Sequence, residues 1–373
     1  MNVAVDIRAL LEENLTGIGH ATLSLLEEMV KDTTIEWYLY YNCQSTVKES
    51  PRVKKLLELP HVHLIVTRAP NKLFNLLVSV GITKLDQIVT RRAGITHLDW
   101  FFFPNLGFIS VSKKTKMLLA LHDLTFARFP HYYSLRRRIW HACTRPKYLI
   151  KNAHTILVPS ESTKRDLMSI FPTHRTVSVI PHGRVEASAH SIESSEEKKE
   201  PYILALSTIE PRKNFEGIIQ AYKESGIYKK GIKLLVIGGK GWHYKKILKR
   251  FETTPGVEYL GYVRHEEKQR LLGGAYALIY PSFYEGFGLP VLEAFSYGVP
   301  VITSDRSSLP EVCDGAAYLV RPHMVSDIAH AMRDLVDNPD LREWYQIKGK
   351  ERAQFFSWGV SAEKVRALCK NVT

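Results

Sequence analysis

Short apolar runs alternate with longer segments of mixed polarity along the whole chain. The first half contains seven such runs: V-A-V-D-I, E-W-Y-L-Y-Y, V-H-L-I-V, L-D-W-F-F-F, K-M-L-L-A-L, T-I-L-V-P and V-S-V-I. The second half contains six: Y-I-L-A-L-S, K-L-L-V-I-G, V-E-Y-L-G-Y-V, Y-A-L-I-Y-P, P-V-I-T-S and A-A-Y-L-V. Continuous apolar runs predict strands that are covered on both faces, and the helix-length segments between them predict parallel sheets.

This rhythm predicts an α/β protein with two doubly wound, Rossmann-like parallel-sheet domains, which suits a length of 373 residues. We expect an N-terminal domain over residues 1–183 and a C-terminal domain over residues 201–355. Residues 184–200 are polar and predict a linker or mobile loop. Residues 356–373 predict a C-terminal helix that packs back on the N-terminal domain.

Composition narrows the class of protein. Hydrophobic residues make up 45% of the chain and charged residues 24%, as in a soluble globular protein. The N-terminus lacks the basic and apolar regions of a secretory signal, so we expect a cytoplasmic protein. The cysteines are too far apart to indicate a zinc site or a disulfide framework: Cys43, Cys143, Cys313 and Cys369.

Positive charge is concentrated in the first half. The net charge is +13, and residues 1–183 hold 24 Lys and Arg against 14 Asp and Glu. Such a balance favours an anionic partner, with nucleic acid, acidic lipid and a phosphorylated substrate all open. Two segments carry the cations beside apolar residues, and we expect them to dock on an anionic membrane: residues 71–92 and 134–151. The alternative is that one helix packs on its sheet and the other presents a solvated charged face.

The segment Y-P-S-F-Y-E-G-F-G-L-P-V-L-E-A-F, residues 280–295, follows a predicted strand. Its glycines allow close approach of the backbone to a ligand, and a helix that begins near Gly288 would direct its first amides at an anion. Glu285 and Glu293 would accept hydrogen bonds from sugar and ribose hydroxyls. The backbone expected at the phosphate spans Gly286, Phe287, Gly288 and Leu289. The alternative is that Glu285 is an exposed loop glutamate and Glu293 an incidental helix-capping acid.

Other predicted strand ends supply further candidates. Arg212 and Lys213 follow Y-I-L-A-L-S and would neutralise a diphosphate leaving group. Gly238 and Gly239 lie in a flexible loop after K-L-L-V-I. The segment G-Y-V predicts a wall for a flat base, formed by Tyr262 and Val263.

Four motifs together resemble retaining glycosyltransferases of family 4, which have the GT-B fold: Y-E-G-F-G-L-P-V-L-E-A, S-T-I-E-P-R-K-N, P-V-I-T-S-D-R-S-S-L-P-E-V and G-I-G-H. The resemblance implies two Rossmann-like domains that face a central cleft, the first binding the acceptor and the second the nucleotide sugar. It also implies that Glu285 and Glu293 contact the donor, and that Arg212 and Lys213 steady its diphosphate. Many members have an additional arginine where this chain has Ser207.

In the first half, the resemblance places His122 near the transferred sugar, with Asp123 beside it. It also implies a glycine-rich loop that faces the cleft, formed by Gly17, Ile18 and Gly19. His61 and His63 share a strand face, but no third metal ligand is close to them in the sequence. Because no D-x-D follows a strand, we expect the enzyme to need no metal or other cofactor.

The activity implied by the resemblance is transfer of a hexose to a glycan or lipid-linked acceptor, in cell-surface polysaccharide or glycolipid synthesis. GDP-mannose is the favoured donor, because E-P-R-K-N resembles mannosyltransferase-like members, and UDP-glucose or UDP-GlcNAc comes next. We also expect the enzyme to lie peripherally on the inner face of the plasma membrane.

Two other readings remain open from the sequence. A nucleotide-sugar epimerase shares the two-domain architecture, and it would act on the donor without an acceptor. A basic nucleic-acid-binding protein would use the positive first half, but no nucleic-acid motif is present. We therefore expect no nucleic-acid partner.

Overall fold

Two parallel sheets, one in each half of the chain, organise the molecule. The computed structural model describes residues 1–11, 15–44, 50–185 and 200–370. These residues form two units, one of Met1–Gly183 with Ser357–Thr373 and one of Arg184–Phe356. Each of the thirteen strands predicted from apolar runs is present, and the predicted fold class of two doubly wound parallel-sheet domains is confirmed.

The first unit contains a seven-stranded parallel sheet in the order β3-β2-β1-β4-β5-β6-β7. Its strands are β1 Asn2–Asp6, β2 Glu36–Asn42, β3 Val62–Thr67, β4 Trp100–Phe103, β5 Lys116–Ala120, β6 Thr155–Val158 and β7 Thr176–Val179. Alternate residues of each strand point to opposite faces. Val3 and Phe102 therefore belong to one buried apolar cluster, while Ala4 and Phe101 belong to the other.

Helices cover both faces of this sheet. They are α1 Gly17–Met29, α2 Pro51–Leu57, α3 Asn71–Ser79, α4 Leu85–Ala93, α5 Thr125–Arg128, α6 Leu135–Cys143, α7 Pro146–Asn152, α8 Glu161–Ile170 and α16 Trp358–Lys370. The last helix, α16, packs against α1. Trp100 Nε1 donates a hydrogen bond to the carbonyl oxygen of Cys369 at 3.0 Å, and Lys370 Nζ lies 2.6 Å from Asp32 Oδ2.

The two segments that carry cations beside apolar residues are each divided into two helices. Residues 134–151 form two helices, because Arg145 takes a left-handed conformation with φ of 55° immediately before Pro146. A residue that precedes proline is disfavoured in the right-handed helical region, which explains the break. Residues 71–92 likewise contain α3 and α4, with Gly81 at a φ of 82° between them.

The second unit contains a six-stranded parallel sheet in the order β10-β9-β8-β11-β12-β13. Its strands are β8 Tyr202–Leu206, β9 Lys233–Ile237, β10 Val257–Gly261, β11 Ala277–Tyr280, β12 Val301–Ser304 and β13 Tyr318–Val320. Its helices are α9 Phe215–Ser225, α10 Tyr244–Glu252, α11 His265–Gly273, α12 Leu289–Ser296, α13 Leu309–Cys313, α14 Val325–Asp337 and α15 Pro339–Ala353. The strand order reverses between β8 and β11, where open α/β sheets bind their ligands.

The predicted linker at residues 184–200 falls largely outside the described residues, which resume at Glu200. Arg184 N donates to the carbonyl oxygen of Phe356 at 3.2 Å within the second unit. None of the helices in the described ranges has the length and apolar content that crossing a bilayer requires.

Candidate active site

A cluster of buried charges follows the two strands at which the order of the second sheet reverses. Arg212 and Lys213 follow β8 in a short 3-10 turn, and Glu285 follows β11. Because β8 and β11 are adjacent and parallel, their carboxyl ends bring these loops to the same edge of the sheet. The backbone joins them as well, since Phe283 N donates to the carbonyl oxygen of Arg212 at 2.9 Å.

Glu285 binds both cations at once. Its Oε2 accepts from an Arg212 terminal nitrogen at 3.0 Å, and its Oε1 accepts from Lys213 Nζ at 2.5 Å. The residue is only 7% exposed, so these charge-assisted hydrogen bonds lie in a largely water-free environment. The sequence suggested separate partners for the acid and the basic pair, whereas the structure shows the three charges bound to one another.

Two residues that the sequence analysis did not select complete the cluster. Glu210 is 4% exposed and accepts from Arg212 Nε at 2.9 Å. The Tyr280 hydroxyl accepts from Lys213 Nζ at 2.6 Å. Glu210 lies in the quoted motif T-I-E-P-R-K-N, and Tyr280 ends strand β11. Both were therefore visible as polar residues at predicted strand ends.

Burial and the neighbouring charges shift the pKa values in this cluster in opposing directions. Burial raises the pKa of Glu285, but Arg212 and Lys213 outweigh burial and lower that pKa to about 2. Burial and the neighbouring Arg212 lower the pKa of Lys213, and the two glutamates oppose them. Burial, with Glu285 beside the ring, raises the pKa of Tyr280 well above its ordinary value. Glu285 is therefore an anion and Tyr280 a neutral phenol throughout the physiological range.

The turn after Glu285 leads directly into α12, which begins at Leu289 with Gly288 as its N-cap. Gly288 has a φ of 105°, and a Cβ there would lie 2.7 Å from Leu309 Cδ2. Ser308 Oγ fixes the turn by donating to the carbonyl oxygens of Glu285 and Phe287, each at 3.0 Å. The dipole at the start of α12 favours an anion, although Pro290 has no N–H and Val291 N already donates to the carbonyl oxygen of Gly288 at 3.0 Å.

Within α12, Glu293 binds a different cation. Its Oε1 lies 2.7 Å from Lys268 Nζ of α11, and the two side chains are 13% and 20% exposed. The sequence gave no indication of Lys268, which lies 25 positions earlier on another element. The two glutamates of the motif are thus each held by lysine, one in the buried cluster and one between two helices.

The loop after β9 lies close to the loop after β8. Gly238 has a φ of 144°, and a Cβ on it would lie 1.9 Å from the carbonyl oxygen of Ser207. Gly239 accepts a hydrogen bond from Ile209 N at 2.9 Å through its carbonyl oxygen. Beyond β10, Tyr262 is 52% exposed, while Val263 is half-buried against the core. These four predicted residues follow neighbouring strands of one sheet.

In the first unit, the predicted glycine-rich loop is instead the first turn of α1. Gly17, Ile18 and Gly19 lie inside the helix, and Thr16 Oγ1 caps it by accepting from Gly19 N at 3.5 Å. A threonine before G-I-G-H is a recognisable N-cap, and the backbone takes the helical path because that cap satisfies one of its free amides. The prediction of a loop at these residues is wrong.

His122 and Asp123 follow β5, as the sequence predicted. His122 Nε2 is 2.7 Å from the carbonyl oxygen of Pro104, and Asp123 Oδ1 accepts from Thr125 N at 2.8 Å. The His122 ring lies 5.5 Å from the ring of His182, which the sequence analysis overlooked. Burial lowers the pKa of His122 and, with His122 beside it, lowers the pKa of His182 well below its ordinary value. Both rings are therefore neutral at physiological pH.

The two histidines considered as metal ligands have other partners. His61 precedes β3, and its Nε2 is 2.7 Å from the carbonyl oxygen of Val30. His63 Nε2 is 2.7 Å from Glu36 Oε2. In the part of the chain that the structure describes, no group of three or more His, Cys, Asp or Glu residues is arranged to hold a metal ion.

Comparison with known proteins decides the class. Residues 188–352, which contain the charge cluster and α12, match the family model described as glycosyl transferases group 1. The chain is a glycosyltransferase. Its group 1 domain supplies every predicted residue of the donor site, from Arg212 to Glu293.

Relatives extend the likeness over nearly the whole glycosyltransferase. The Escherichia coli O-antigen chain mannosyltransferase B is 28% identical over 371 residues, which cover 92% of this chain and 93% of that protein. A Corynebacterium glutamicum enzyme, GDP-mannose-dependent monoacylated alpha-(1-6)-phosphatidylinositol monomannoside mannosyltransferase, is 26% identical over 57% of this chain and 61% of its own.

A solved structure shares the fold of the glycosyltransferase. Anabaena Alr3699/HepE in complex with UDP and glucose superimposes with a TM-score of 0.73 at 15% identity, covering all of both chains. Similarity at this level supports the GT-B architecture that the resemblance implied.

Proposed function

We propose that this glycosyltransferase moves mannose from GDP-mannose to a hydroxyl of a glycan or lipid-linked acceptor, with retention of anomeric configuration, in cell-surface polysaccharide synthesis. The names of two relatives support the sugar and the base, since one is an O-antigen mannosyltransferase and the other is GDP-mannose-dependent. A UDP-sugar donor is the second candidate, favoured by the structural likeness to a protein in complex with UDP and glucose.

The cluster of Arg212, Lys213 and Glu285 carries this proposal. It places two cations within one turn of chain at the reversal of strand order, beside the N-terminus of helix α12. Negative charge develops on the departing diphosphate in the transition state, and fixed donors in a poorly solvated site stabilise such charge most strongly. The donor site therefore needs its cations positioned before the reaction begins.

We propose a role for each of the predicted residues of the second unit. Arg212, Lys213 and the amides between Gly286 and Leu289 stabilise the diphosphate. Glu285 holds the two cations in place and turns its remaining lone pairs to sugar hydroxyls. Glu293, steadied by Lys268, accepts from the ribose. The loop of Gly238 and Gly239, with Tyr262 and Val263, forms the wall for the base.

No protein nucleophile is assigned. The departing phosphate oxygen takes the proton of the acceptor hydroxyl as the new glycosidic bond forms and the bond to the diphosphate breaks. The reaction as proposed needs no cofactor. The first unit binds the acceptor, and the roles of Gly17, Ile18, Gly19, His122 and Asp123 there stay predictions from the resemblance.

A transfer assay tests the proposal. The enzyme is incubated with GDP-mannose, UDP-glucose or UDP-GlcNAc and a mannose-terminated acceptor, with and without EDTA, and the product's anomeric configuration is read by NMR. We expect an α-mannosyl product from GDP-mannose alone, unaffected by EDTA. Product from a UDP-sugar only would establish the second candidate. Conversion of the donor without acceptor would indicate an epimerase, and a β-linked product would exclude retention.

A further inference from the structure

Helix α6 is unusual because none of its nine residues is buried. Leu135 is 70% exposed, Ile139 is 55% exposed and Trp140 is 42% exposed. Leu135 and Ile139 are one helical turn apart, so they share a face. Arg136, Arg137 and Arg138 are also exposed. A helix that packs so little on its own domain, with apolar and cationic side chains both outward, is suited to a surface outside the protein.

Helix α3 and the residues after it show a second apolar stripe. Phe74 and Val78 are buried and attach the helix to the sheet. On the outer side, the large apolar side chains are more than half exposed: Leu73 56%, Leu76 58%, Val80 56% and Ile82 72%. Leucines and valine at spacings of three and four recur on one helix face. This face has no partner within the described residues of its unit that would explain its apolar character.

These two regions lie more than fifty positions apart in sequence, and the structure connects them by one direct contact and through residues 108–110. A terminal nitrogen of Arg145, between α6 and α7, donates to the carbonyl oxygen of Ser79 at the end of α3 at 2.7 Å. Trp140 packs edge-on against Phe108 at 6.2 Å between ring centroids. Lys84 Nζ reaches Ser110 Oγ at 3.0 Å. We call residues 71–84 together with 135–148 the basic apolar surface.

The two segments that contain this surface carry almost only positive charge. The segments 71–92 and 134–151 contain ten Lys and Arg residues and a single acid, Asp86. Asp86 is 3% exposed and accepts hydrogen bonds from Ser112 N at 2.8 Å and the Thr115 hydroxyl at 3.1 Å. No acidic side chain of these segments is therefore presented to solvent alongside the cations.

We propose that the basic apolar surface docks the enzyme on an anionic lipid bilayer. Exposed Leu, Ile, Val and Trp side chains would enter the boundary between headgroups and acyl chains, while the arginines contact lipid phosphates. A second copy of the chain would oppose its own cations across a two-fold interface, which is unfavourable. Nucleic acid would satisfy the arginines but would leave the aliphatic side chains against a charged backbone. The inference extends the proposed function, since a lipid-linked acceptor would lie at the same surface.

Vesicle co-sedimentation tests the proposal without any sugar donor. The wild-type protein should bind phosphatidylcholine vesicles that contain phosphatidylglycerol, bind phosphatidylcholine alone weakly, and lose affinity as salt rises. Changing Arg136, Arg137 and Arg138 to Gln should weaken binding on the order of a hundredfold, given about 1 kcal/mol per cation. The matched control changes three exposed cations of the second unit to Gln: Lys229, Lys245 and Lys249. It should bind like the wild type.

The apolar contribution has its own pair of variants. The double change Leu135→Gln with Ile139→Gln should weaken vesicle binding at least tenfold. The control, Trp344→Gln with Ile347→Gln at exposed positions of α15, should bind vesicles like the wild type. Because α6 buries no residue, the α6 variants should keep the wild-type melting temperature. Equal binding by both members of either pair would overturn the proposal. So would a salt-stable dimer disrupted by the α6 variants, or preference for DNA over vesicles. Failure here leaves donor binding, measured separately, unaffected.

Discussion

Lys213 and Glu285 form an ion pair of 2.5 Å across the reversal of strand order in the second sheet, and both side chains are less than 10% exposed. Burying two charges carries a desolvation cost that only close, well-hydrogen-bonded geometry offsets. A glycosyltransferase that must receive a diphosphate gains from a lysine and an arginine held in position beforehand. The pair therefore connects the stability of the second unit with its proposed chemistry.

Removing the acid of this pair should be costly. We expect Glu285→Ala to lower the free energy of unfolding by about 3 kcal/mol or more, because Arg212 and Lys213 would be left buried without their shared partner. Asp337→Ala is the matched control, since its ion pair with Lys230 is about half exposed and should contribute less than about 1 kcal/mol. Urea unfolding measures both. Equal losses would contradict the assignment of the cluster as the stabilising one.

The same carboxylate predicts an acid-dependent loss of stability. The pKa of Glu285 is lowered in the folded state to about 2 from an ordinary 4.5. The unfolded chain therefore binds the proton first as pH falls. The Glu285 carboxylate contributes to stability above pH 4.5, and this contribution is lost as the pH falls from 4.5 to about 2. The gap in unfolding free energy between wild type and Glu285→Gln should narrow as urea titrations move from pH 6 toward pH 3. A constant gap would show that this pKa is not lowered.

The buried histidines of the first unit give a second pH dependence. In the folded state the pKa values of His122 and His182 lie below the ordinary histidine value of 6.5. As the pH falls below 6.5, the unfolded chain therefore binds these two protons before the folded chain does. Stability of the first unit should fall as pH drops below that point. His182→Gln should flatten the slope between pH 7 and 5, followed by fluorescence of Trp358, whose ring is 5.4 Å from His182. At pH 8 both histidines are neutral in the folded and the unfolded chain, so the effect of His182→Gln there measures lost packing alone. An unchanged slope between pH 7 and 5 would refute the prediction.

Two adjacent glycines should respond in opposite ways to the same substitution. Gly238→Ala would place a Cβ 1.9 Å from the Ser207 carbonyl oxygen at a φ of 144°. We expect a loss of at least about 3 kcal/mol, or failure of the second unit to fold. Gly239→Ala meets nothing within 4 Å and should change stability by less than about 1 kcal/mol. Thermal denaturation compares them. Similar melting temperatures would mean that the two loops do not approach as closely as described.

The strands and the fold class were predictable because most strands are continuous apolar runs that are buried on both faces, β7 and β10 being less buried. Strand ends then located Arg212, Lys213 and Glu285, since parallel strands bring their carboxyl ends to one edge. Partners from distant elements were not predictable. Lys268, on α11, looks in sequence like any exposed helical lysine, and only packing brings it to Glu293.

Two features that were not predicted from the sequence could have been recognised from adjacent residues. His182 follows a strand in I-P-H-G just as His122 follows one in L-H-D, and the same reasoning would have selected it. Thr16 before G-I-G-H indicated a helix N-cap rather than a loop. In both cases the informative residues adjoin the position concerned.

Nucleotide binding is the most direct test of the donor site. Thermal unfolding is measured with GDP, UDP, ADP and dTDP in parallel, for wild type, Arg212→Lys and the control Arg321→Gln, an exposed cation of the second unit. A nucleotide at about a hundred times its Kd adds roughly 2.7 kcal/mol to the folded state. We expect GDP to stabilise the wild type and the control most, and Arg212→Lys much less, because lysine cannot reproduce the guanidinium geometry. Stabilisation by none of the four nucleotides would contradict the donor site.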